Sequence, residues 1–248
     1  MIQKELMRYE IFSEAYFGRK GEFKGIRKEE IKHRADGILG EDVIYRNILK
    51  LGRPVKKEDF IPHVEAELGR EDLGGLKKAK ENGEFDGALR ENIIRKQAEK
   101  QGWEMAGNLG IEVINDGKIC LPHLPRIAES WQKTILGVKE SLGLFVNLLR
   151  KKEKFKNVEK IEAMSWIFGQ KMLAKDLDEL IGWHSYTEEE TKKFRKENPE
   201  LYQDAQRTGI KLSPRLFREY LLTGEVPEIG GRWITKKEFI ENMTHKKK

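Results

Sequence analysis

Apolar residues recur at helical spacing through the N-terminal part of the chain. The first run carries an apolar residue at every third or fourth position: Ile2, Leu6, Tyr9, Phe12 and Tyr16. Because residues at this spacing share one face of an α-helix, the run predicts a helix over 2–17. The same reasoning predicts a helix over 42–51, which Gly52 and Pro54 end, and a longer helix over 84–105.

A short β-hairpin is predicted near the middle of the chain. Apolar residues alternate at Ile111 and Val113, and again at Ile119 and Leu121. The intervening Asn-Asp-Gly at 115–117 tolerates the positive φ angles that a tight hairpin turn requires.

The next segments predict a long helix, a buried strand and a second helix. The long helix, over 128–151, carries an apolar stripe with spacings of three and four: Trp131, Ile135, Val138, Leu142, Phe145 and Leu149. Residues 158–168 are apolar on both alternating faces, which is typical of a central strand covered on both sides. A helix over 172–181 follows, and Gly182 ends it. This order predicts an α-rich α/β fold, with a mixed sheet flanked by helices.

The C-terminal residues read as further helices. Two capping boxes, which begin at Thr187 and Thr235, and an N-cap at Ser213 before Pro214 mark three helix starts. We therefore expect three regions in chain order: a mostly helical region over 1–110, an α/β core over 111–183 and a helical C-terminal extension over 184–248.

Composition narrows the class of protein. The chain has 248 residues, with 48 Lys and Arg against 42 Asp and Glu, and a formal net charge of +6. Both signs are spread along the chain, which is typical of a well-solvated surface. A single cysteine excludes a disulfide framework and a multi-thiolate zinc site, and it fits a reducing cytoplasm. The longest uncharged apolar stretch is too short to span a bilayer, so we expect a cytoplasmic protein without a membrane partner.

Most catalytic signatures are absent from the sequence. It contains no phosphate-binding G-x-x-x-x-G-K-[ST] loop, no G-x-G-x-x-G and no G-x-S-x-G. The five histidines are far apart and form no helical pair, so no metal site is predicted. His123 lies between Pro122 and Pro125, where it either faces a pocket or bonds the backbone of a turn.

Residues 111–183 resemble the later part of the GNAT acetyltransferase fold. In that family a strand precedes a helix, the helix leads to a core strand, and a short helix then ends in a leucine–glycine–aromatic step. Residues 180–183, Leu-Ile-Gly-Trp, match this step, and residues 163–167, Ala-Met-Ser-Trp-Ile, look like a strand of uncharacterised bacterial GNAT-like proteins. The resemblance implies transfer of an acyl group from acyl-coenzyme A to an amine, on a small molecule or a protein. A V-shaped gap should then open beside the strand over 158–168.

The resemblance singles out four residues. His123 and Ser165 are the catalytic candidates, and Arg126 and Trp166 are the candidates for binding coenzyme A. The alternative for Ser165 and Trp166 is a role in core packing. The family's phosphate-binding loop, Gln or Arg followed by x-x-Gly-x-Gly or Ala, is replaced here by Leu-Pro-His-Leu-Pro-Arg at 121–126. Its two prolines lack the N–H groups that bind pyrophosphate at a helix start, so a non-catalytic scaffold is a further alternative.

Residues 208–243 also resemble the small winged helix of MerR-type regulators and phage excisionases. In that resemblance, residues 213–220 are the recognition helix and residues 229–233 are the wing. It implies a nucleic-acid-binding protein as the alternative to an acyltransferase, with three arginines as the contacts: Arg215, Arg218 and Arg232. A solvated helical extension explains the same residues.

Overall fold

The computed structural model describes residues 2–18, 21–56, 58–59, 61–62, 98, 100, 102–123 and 131–245. In these ranges the chain is a mixed α/β protein, as the sequence predicts. It forms two compact units, each built from two stretches of chain: Met1–Arg90 with Arg207–Pro227, and Glu91–Gln206 with Glu228–Lys248. We call the first the helical unit and the second the sheet unit.

The described ranges contain nine α-helices and six strands. The helices are α1 (Ile2–Ser13), α2 (Lys28–Leu39), α3 (Val43–Leu51), α4 (Trp131–Lys151), α5 (Lys171–Ile181), α6 (Glu188–Glu197), α7 (Pro199–Leu212), α8 (Pro214–Thr223) and α9 (Lys236–His245). The strands are β1 (Glu104–Ala106), β2 (Leu109–Ile114), β3 (Ile119–His123), β4 (Lys160–Ser165), β5 (His184–Ser185) and β6 (Gly230–Thr235).

The helices predicted over 2–17 and 42–51 are confirmed. α1 continues into a π-helical turn at Glu14–Gly18, which accounts for the apolar stripe over 2–17. α3 begins after Asp42, whose carboxylate accepts a hydrogen bond from the Ile44 N–H at 2.9 Å and so caps the helix. Gly52 ends the helix with a φ of 66°, the left-handed conformation that glycine adopts without strain.

An apolar core and one arginine hold the helical unit together. Phe12, Tyr45 and Phe217 are fully buried in that core, and the rings of Phe12 and Tyr45 meet edge to face at 4.8 Å. The guanidinium of Arg34, on α2, donates to the carbonyl oxygens of Leu221 and Leu222 at 2.6 and 2.9 Å. It thereby satisfies carbonyl groups at the C-terminal end of α8, which have no partner within the helix. Residues distant in sequence thus form one unit.

The sheet unit contains a six-stranded mixed sheet with the strand order β1-β2-β3-β4-β6-β5. β3 and β4 pair in parallel, and all the other neighbouring strands pair antiparallel. A parallel pair needs a long crossover connection, which here contains α4.

The predicted hairpin is confirmed as β2 and β3. Its register pairs Ile114 with Ile119. In the connecting turn Asn115, Asp116 and Gly117 have φ angles of 51°, 53° and 88°. Asn, Asp and Gly are the residues that adopt this left-handed region most readily, so the local sequence favours this turn.

The strand predicted over 158–168 is shorter than expected, and its two faces differ. β4 covers Lys160–Ser165 and lies inside the sheet, between β3 and β6. On one face Ile161 is 0% exposed, whereas Met164 on the other face is half-buried. The predicted position inside the sheet is confirmed, and the second face, which carries Lys160 and Glu162 with side chains 35% and 13% exposed, is covered in part. Trp166 follows the strand in a turn and is 5% exposed.

The helices of the sheet unit follow the predicted order. α4 packs against β1 and β2, α9 packs against β6, and α4 contacts both α5 and α9. Ser141 on α4 accepts a hydrogen bond from the Asn108 N–H at 2.8 Å and donates to the Gly137 carbonyl at 2.7 Å. A Cβ on Gly137 would lie 2.8 Å from the Asn108 side chain. Glycine inside this helix therefore permits the close approach of the β1–β2 turn.

The boundaries of the two units differ from the three regions that the sequence predicts. Residues 184–248 are not one helical extension, because β6 is a strand of the sheet and α8 belongs to the helical unit. Glu104 and Met105 form part of β1 and do not end the helix predicted over 84–105, most of which lies outside the described residues. In the described part of the chain, no helix is both long and apolar enough to cross a membrane.

Candidate functional site

The sheet has two chemically different faces. On the covered face, buried apolar side chains come from five strands: Ala106, Ile111, Cys120, Ile161 and Ile234. The other face, which we call the open face, carries half-buried residues at the alternate positions: Glu112, Leu121, His123, Lys160, Glu162, Met164 and Trp233. The alternation follows from the two-residue period of a strand. Ionisable groups are therefore concentrated on the open face.

The parallel strands β3 and β4, in the middle of the sheet, are paired over only part of their length. Ile119 pairs with Lys160 and Cys120 pairs with Ile161, and the ladder between β3 and β4 ends there. The strands run on, to His123 and to Ser165. Beyond these two pairs, the backbone groups of β3 and β4 that face each other are not paired with one another. Both catalytic candidates from the sequence lie at this end of the parallel pair.

His123 is held on the open face by a carboxylate and an aromatic ring. Its Nε2 lies 2.8 Å from Oε2 of Glu112, on the neighbouring strand. The indole of Trp103 stacks on the imidazole with ring centroids 4.1 Å apart and an angle of 2° between the planes. Gly110, which pairs with His123, makes this stack possible, because a Cβ there would lie 2.5 Å from the Trp103 ring.

The surroundings of His123 favour its neutral form. Burial lowers the pKa of His123 below its ordinary 6.5, and the hydrogen bond to Glu112 and its charge oppose that shift. A neutral imidazole facing a carboxylate carries its proton on the nitrogen that donates, here Nε2. The lone pair is then on Nδ1. His123 can therefore accept a proton at neutral pH while Glu112 fixes its tautomer.

A second cluster on the open face holds an ammonium group between two rings. Nζ of Lys160 lies 2.6 Å from Oε1 of Glu162, which is 13% exposed. The same ammonium lies 4.9 Å from the centre of the Trp233 ring and 5.5 Å from that of Tyr186. Burial and the adjacent Glu162 carboxylate raise the pKa of Tyr186, so its hydroxyl stays protonated and hydrogen-bonds Glu162. The ring of His184 lies tilted against the Trp233 ring, with the two ring centres 4.5 Å apart.

Gly231, the second residue of β6, is part of this second cluster. A Cβ on Gly231 would lie 2.6 Å from both the Met164 sulfur and the Tyr186 ring. Glycine here lets Tyr186 lie flat on the strand, close to the carboxylate that it hydrogen-bonds. Both clusters are thus built in the same way, with an aromatic ring placed over a strand glycine.

The structure describes two of the other three acyltransferase candidates, Ser165 and Trp166. Ser165 accepts a hydrogen bond from the Ile167 N–H at 3.2 Å and so stabilises the turn after β4. Trp166 is buried in the core, which matches its packing alternative. Arg126 lies outside the described residues. Burial raises the pKa of Cys120 to about 12, so it is an un-ionised thiol at neutral pH and not a nucleophile.

The three arginines of the winged-helix hypothesis do not form one module. Arg215 lies 3.5 Å from Glu219 and Arg218 lies 2.9 Å from Glu22, both within the helical unit. Arg232 is on β6 in the sheet unit, where Nε and a terminal nitrogen donate to Asp178 at 2.8 and 3.0 Å. Its side chain is 11% exposed. The segment expected to form the wing is therefore a sheet strand, and its arginine is committed to a carboxylate.

Sequence reasoning found His123 but missed the residues around it. The hairpin register is the signal that could have located Glu112, because a turn at 115–118 places it on the same face as His123 and two register positions away. Trp103 and Tyr186 reach the open face from outside the long strands, and no local periodicity marks them. Within the described ranges, no three His, Cys, Asp or Glu side chains form a group that could hold a metal ion.

Comparison with known proteins adds no relative. No protein-family model matches the chain, and neither a curated protein nor a solved structure matches it. The assignment of function therefore depends on the geometry of the sheet unit.

Proposed function

We propose that the protein transfers an acyl group from acyl-coenzyme A to an amine, at the carboxyl-terminal end of β3 and β4. The observation that carries the proposal is the pair of His123 and Glu112, at 2.8 Å, beside the point where the ladder between these parallel strands ends. The order β3, α4, β4, α5 is also the order on which the resemblance to the GNAT fold is based.

The end of the ladder offers a place for the acyl donor. The edges of β3 beyond Cys120 and of β4 beyond Ile161 face one another without pairing. Backbone N–H and C=O groups need hydrogen-bond partners, and the amide groups of the coenzyme A arm supply both donors and acceptors. Ligands of open α/β sheets commonly bind outside the carboxyl ends of neighbouring strands. Arg126 is three residues after the last residue of β3 in the sequence and stays a prediction for contact with the pyrophosphate.

His123 supplies the base that this reaction requires. An amine is protonated at neutral pH and attacks only after it loses a proton. Nδ1 of His123 accepts that proton, the amine nitrogen attacks the thioester carbonyl, a C–N bond forms and the C–S bond breaks. The attacking nitrogen then loses a second proton, which goes to the leaving thiolate, and His123 passes the first proton to the medium, so the products are an amide, free coenzyme A and one released proton. Glu112 stabilises the imidazolium that forms in between.

The binding of the donor is tested by thermal unfolding with and without acetyl-coenzyme A. A ligand at a hundred times its Kd stabilises the native state by about 2.7 kcal/mol, which raises the Tm by several degrees for a chain of this size. The absence of any shift at millimolar acetyl-coenzyme A would contradict the proposal and favour a non-catalytic scaffold.

The catalytic step is tested by release of free thiol in the presence of primary amines. We expect His123→Gln to reduce the rate by about 100-fold or more, because general base catalysis contributes at least that factor. His33→Gln is the matched control, since His33 is exposed on α2 in the helical unit. Equal rates for the two variants would exclude His123 as the base.

A further inference from the structure

The second cluster on the open face has the composition of a site for an organic cation. It combines a carboxylate, Glu162, with the rings of Trp233 and Tyr186. An ammonium group is attracted both to a carboxylate and to the face of an aromatic ring. Lys160 already places its own ammonium in this position, which shows that the cluster accommodates one.

We propose that the amine acceptor is an aliphatic diamine or polyamine, and that Glu162, Trp233 and Tyr186 bind its second ammonium while the first reacts beside His123. This inference rests on the proposed acyl transfer. It assigns the substrate class and gives the second cluster a role in binding it. The ammonium of Lys160 occupies the place that the ligand's ammonium takes.

The charge of the open face favours a cation over an anion. Glu112 and Glu162 contribute two carboxylates, against the single ammonium of Lys160. His123 is neutral at pH 7 because burial lowers its pKa. Stacked aromatic rings on a sheet also suit the bases of single-stranded nucleic acid, but a binding groove for its phosphates is positively charged. The two carboxylates therefore point to a cationic ligand.

The spacing of the two clusters fits a short diamine. His123 is on β3 and Glu162 is on the neighbouring strand β4, on the same face. Because the ladder ends before His123, their Cα atoms lie at least one strand and two residues apart, which is about 8 Å or more. A diamine with five or more methylene groups can span such a distance.

Lys160 makes the proposal testable by a gain of affinity. In Lys160→Met the carboxylate of Glu162 and the two rings lose their internal cation, while the side-chain length is kept. We expect this variant to bind 1,5-diaminopentane about tenfold more tightly than the wild type in calorimetric titration, and Glu162→Gln to bind it at least about tenfold more weakly. A merely structural ion pair predicts no gain for Lys160→Met.

The controls distinguish a local effect of the second cluster from a general effect of removing a charge. Lys237→Met and Glu159→Gln remove the same charges at exposed positions and should leave the affinity unchanged. Pentylamine, which has one ammonium, should bind about tenfold more weakly than the diamine. If Glu162→Gln lowers the Tm, Lys160→Met still decides the result, because its expected effect is a gain.

The outcomes distinguish this inference from the proposed function. Binding of acetyl-coenzyme A without any preference for the diamine overturns the acceptor assignment and keeps acyl transfer. Diamine binding that Lys160→Met strengthens, in a protein that acetyl-coenzyme A does not stabilise, keeps the cation site and overturns acyl transfer. Tight binding of a uridine oligonucleotide that competes with the diamine would overturn the cationic acceptor.

Discussion

Alternate residues of the same strands have different roles on the two faces of the sheet. Residues on the covered face stabilise the fold, and residues on the open face carry the ionisable groups. On β4, Ile161 is fully buried among apolar side chains, while the next residue, Glu162, bonds Lys160 on the open face. On β3, Cys120 is likewise buried on the covered face, while His123 bonds Glu112 on the open face. The covered face is built mainly from buried apolar contacts, together with the ion pair of Arg232 and Asp178. The open face carries charged and aromatic groups that are partly buried, with side-chain exposures of 13% for Glu162 and 33% for His123.

The largest expected effect comes from the covered face. Ile161→Ala removes a fully buried side chain from the centre of the sheet. We expect it to lower the free energy of unfolding by about 2–5 kcal/mol, because it loses apolar burial and leaves a cavity. Urea denaturation measures this, with Ile119→Ala as the half-buried comparison on the open face. Equal losses for both variants would contradict the division between the faces.

A smaller effect is expected from crowding the open face. Gly231→Ala places a Cβ 2.6 Å from the Met164 sulfur and the Tyr186 ring, which must move. We expect a loss of about 1–3 kcal/mol, typical of overpacking, together with a shift in the absorbance titration of Tyr186 toward lower pH as the ring leaves Glu162. An unchanged tyrosine titration would show that the ring does not depend on the glycine.

The pH dependence of stability tests the environment of His123. Its pKa is lowered by burial in the folded chain, so the unfolded chain takes up the proton first. The stabilisation from neutral His123 is therefore fully present above the ordinary value of 6.5 and is lost as the pH falls through the lowered folded pKa. We expect Gly110→Ala, which displaces Trp103, to shrink this loss by returning the pKa of His123 toward 6.5.

Denaturation of both chains between pH 7.5 and 5 measures the difference, and His123→Gln supplies the baseline without a titrating imidazole. If the wild type and His123→Gln lose stability in parallel over that range, burial of the imidazole is not the source of the dependence.

The smallest effect is expected at the rim of the covered face. Glu104 accepts from the ammonium of Lys152 at 2.5 Å, and both side chains are partly exposed. We expect Glu104→Gln to cost less than about 1 kcal/mol, since such surface ion pairs contribute little and salt screens them. A loss as large as that of Ile161→Ala would show that charge, as well as apolar burial, holds the covered face.

Local sequence patterns predicted most of the helices and the hairpin. The capping box at Thr187 and the N-cap at Ser213 are formed as expected, because each needs only residues within one helical turn. The left-handed turn at 115–117 follows from its own three residues. In each case the interactions that decide the structure are close in sequence.

The strand β6 could not be predicted in the same way. It begins with Gly230 and Gly231, and glycine is depleted in strands. Gly231 is accommodated because the ring of Tyr186 covers it, a contact made between segments far apart in sequence. The same applies to the site: His123 could be named from the sequence, but its partners Trp103 and Glu112 depend on strand register.

The position of β6 in the strand order has a consequence for how the chain is made. β6 pairs with β4 on one side and with β5 on the other, yet it follows β5 by more than forty residues that include α8 of the helical unit. During synthesis the backbone N–H and C=O groups on one edge of β4 therefore lack their strand partner until Gly230–Thr235 leaves the ribosome. A chain that ends after Pro227 would keep this unpaired strand edge, and we expect it to aggregate.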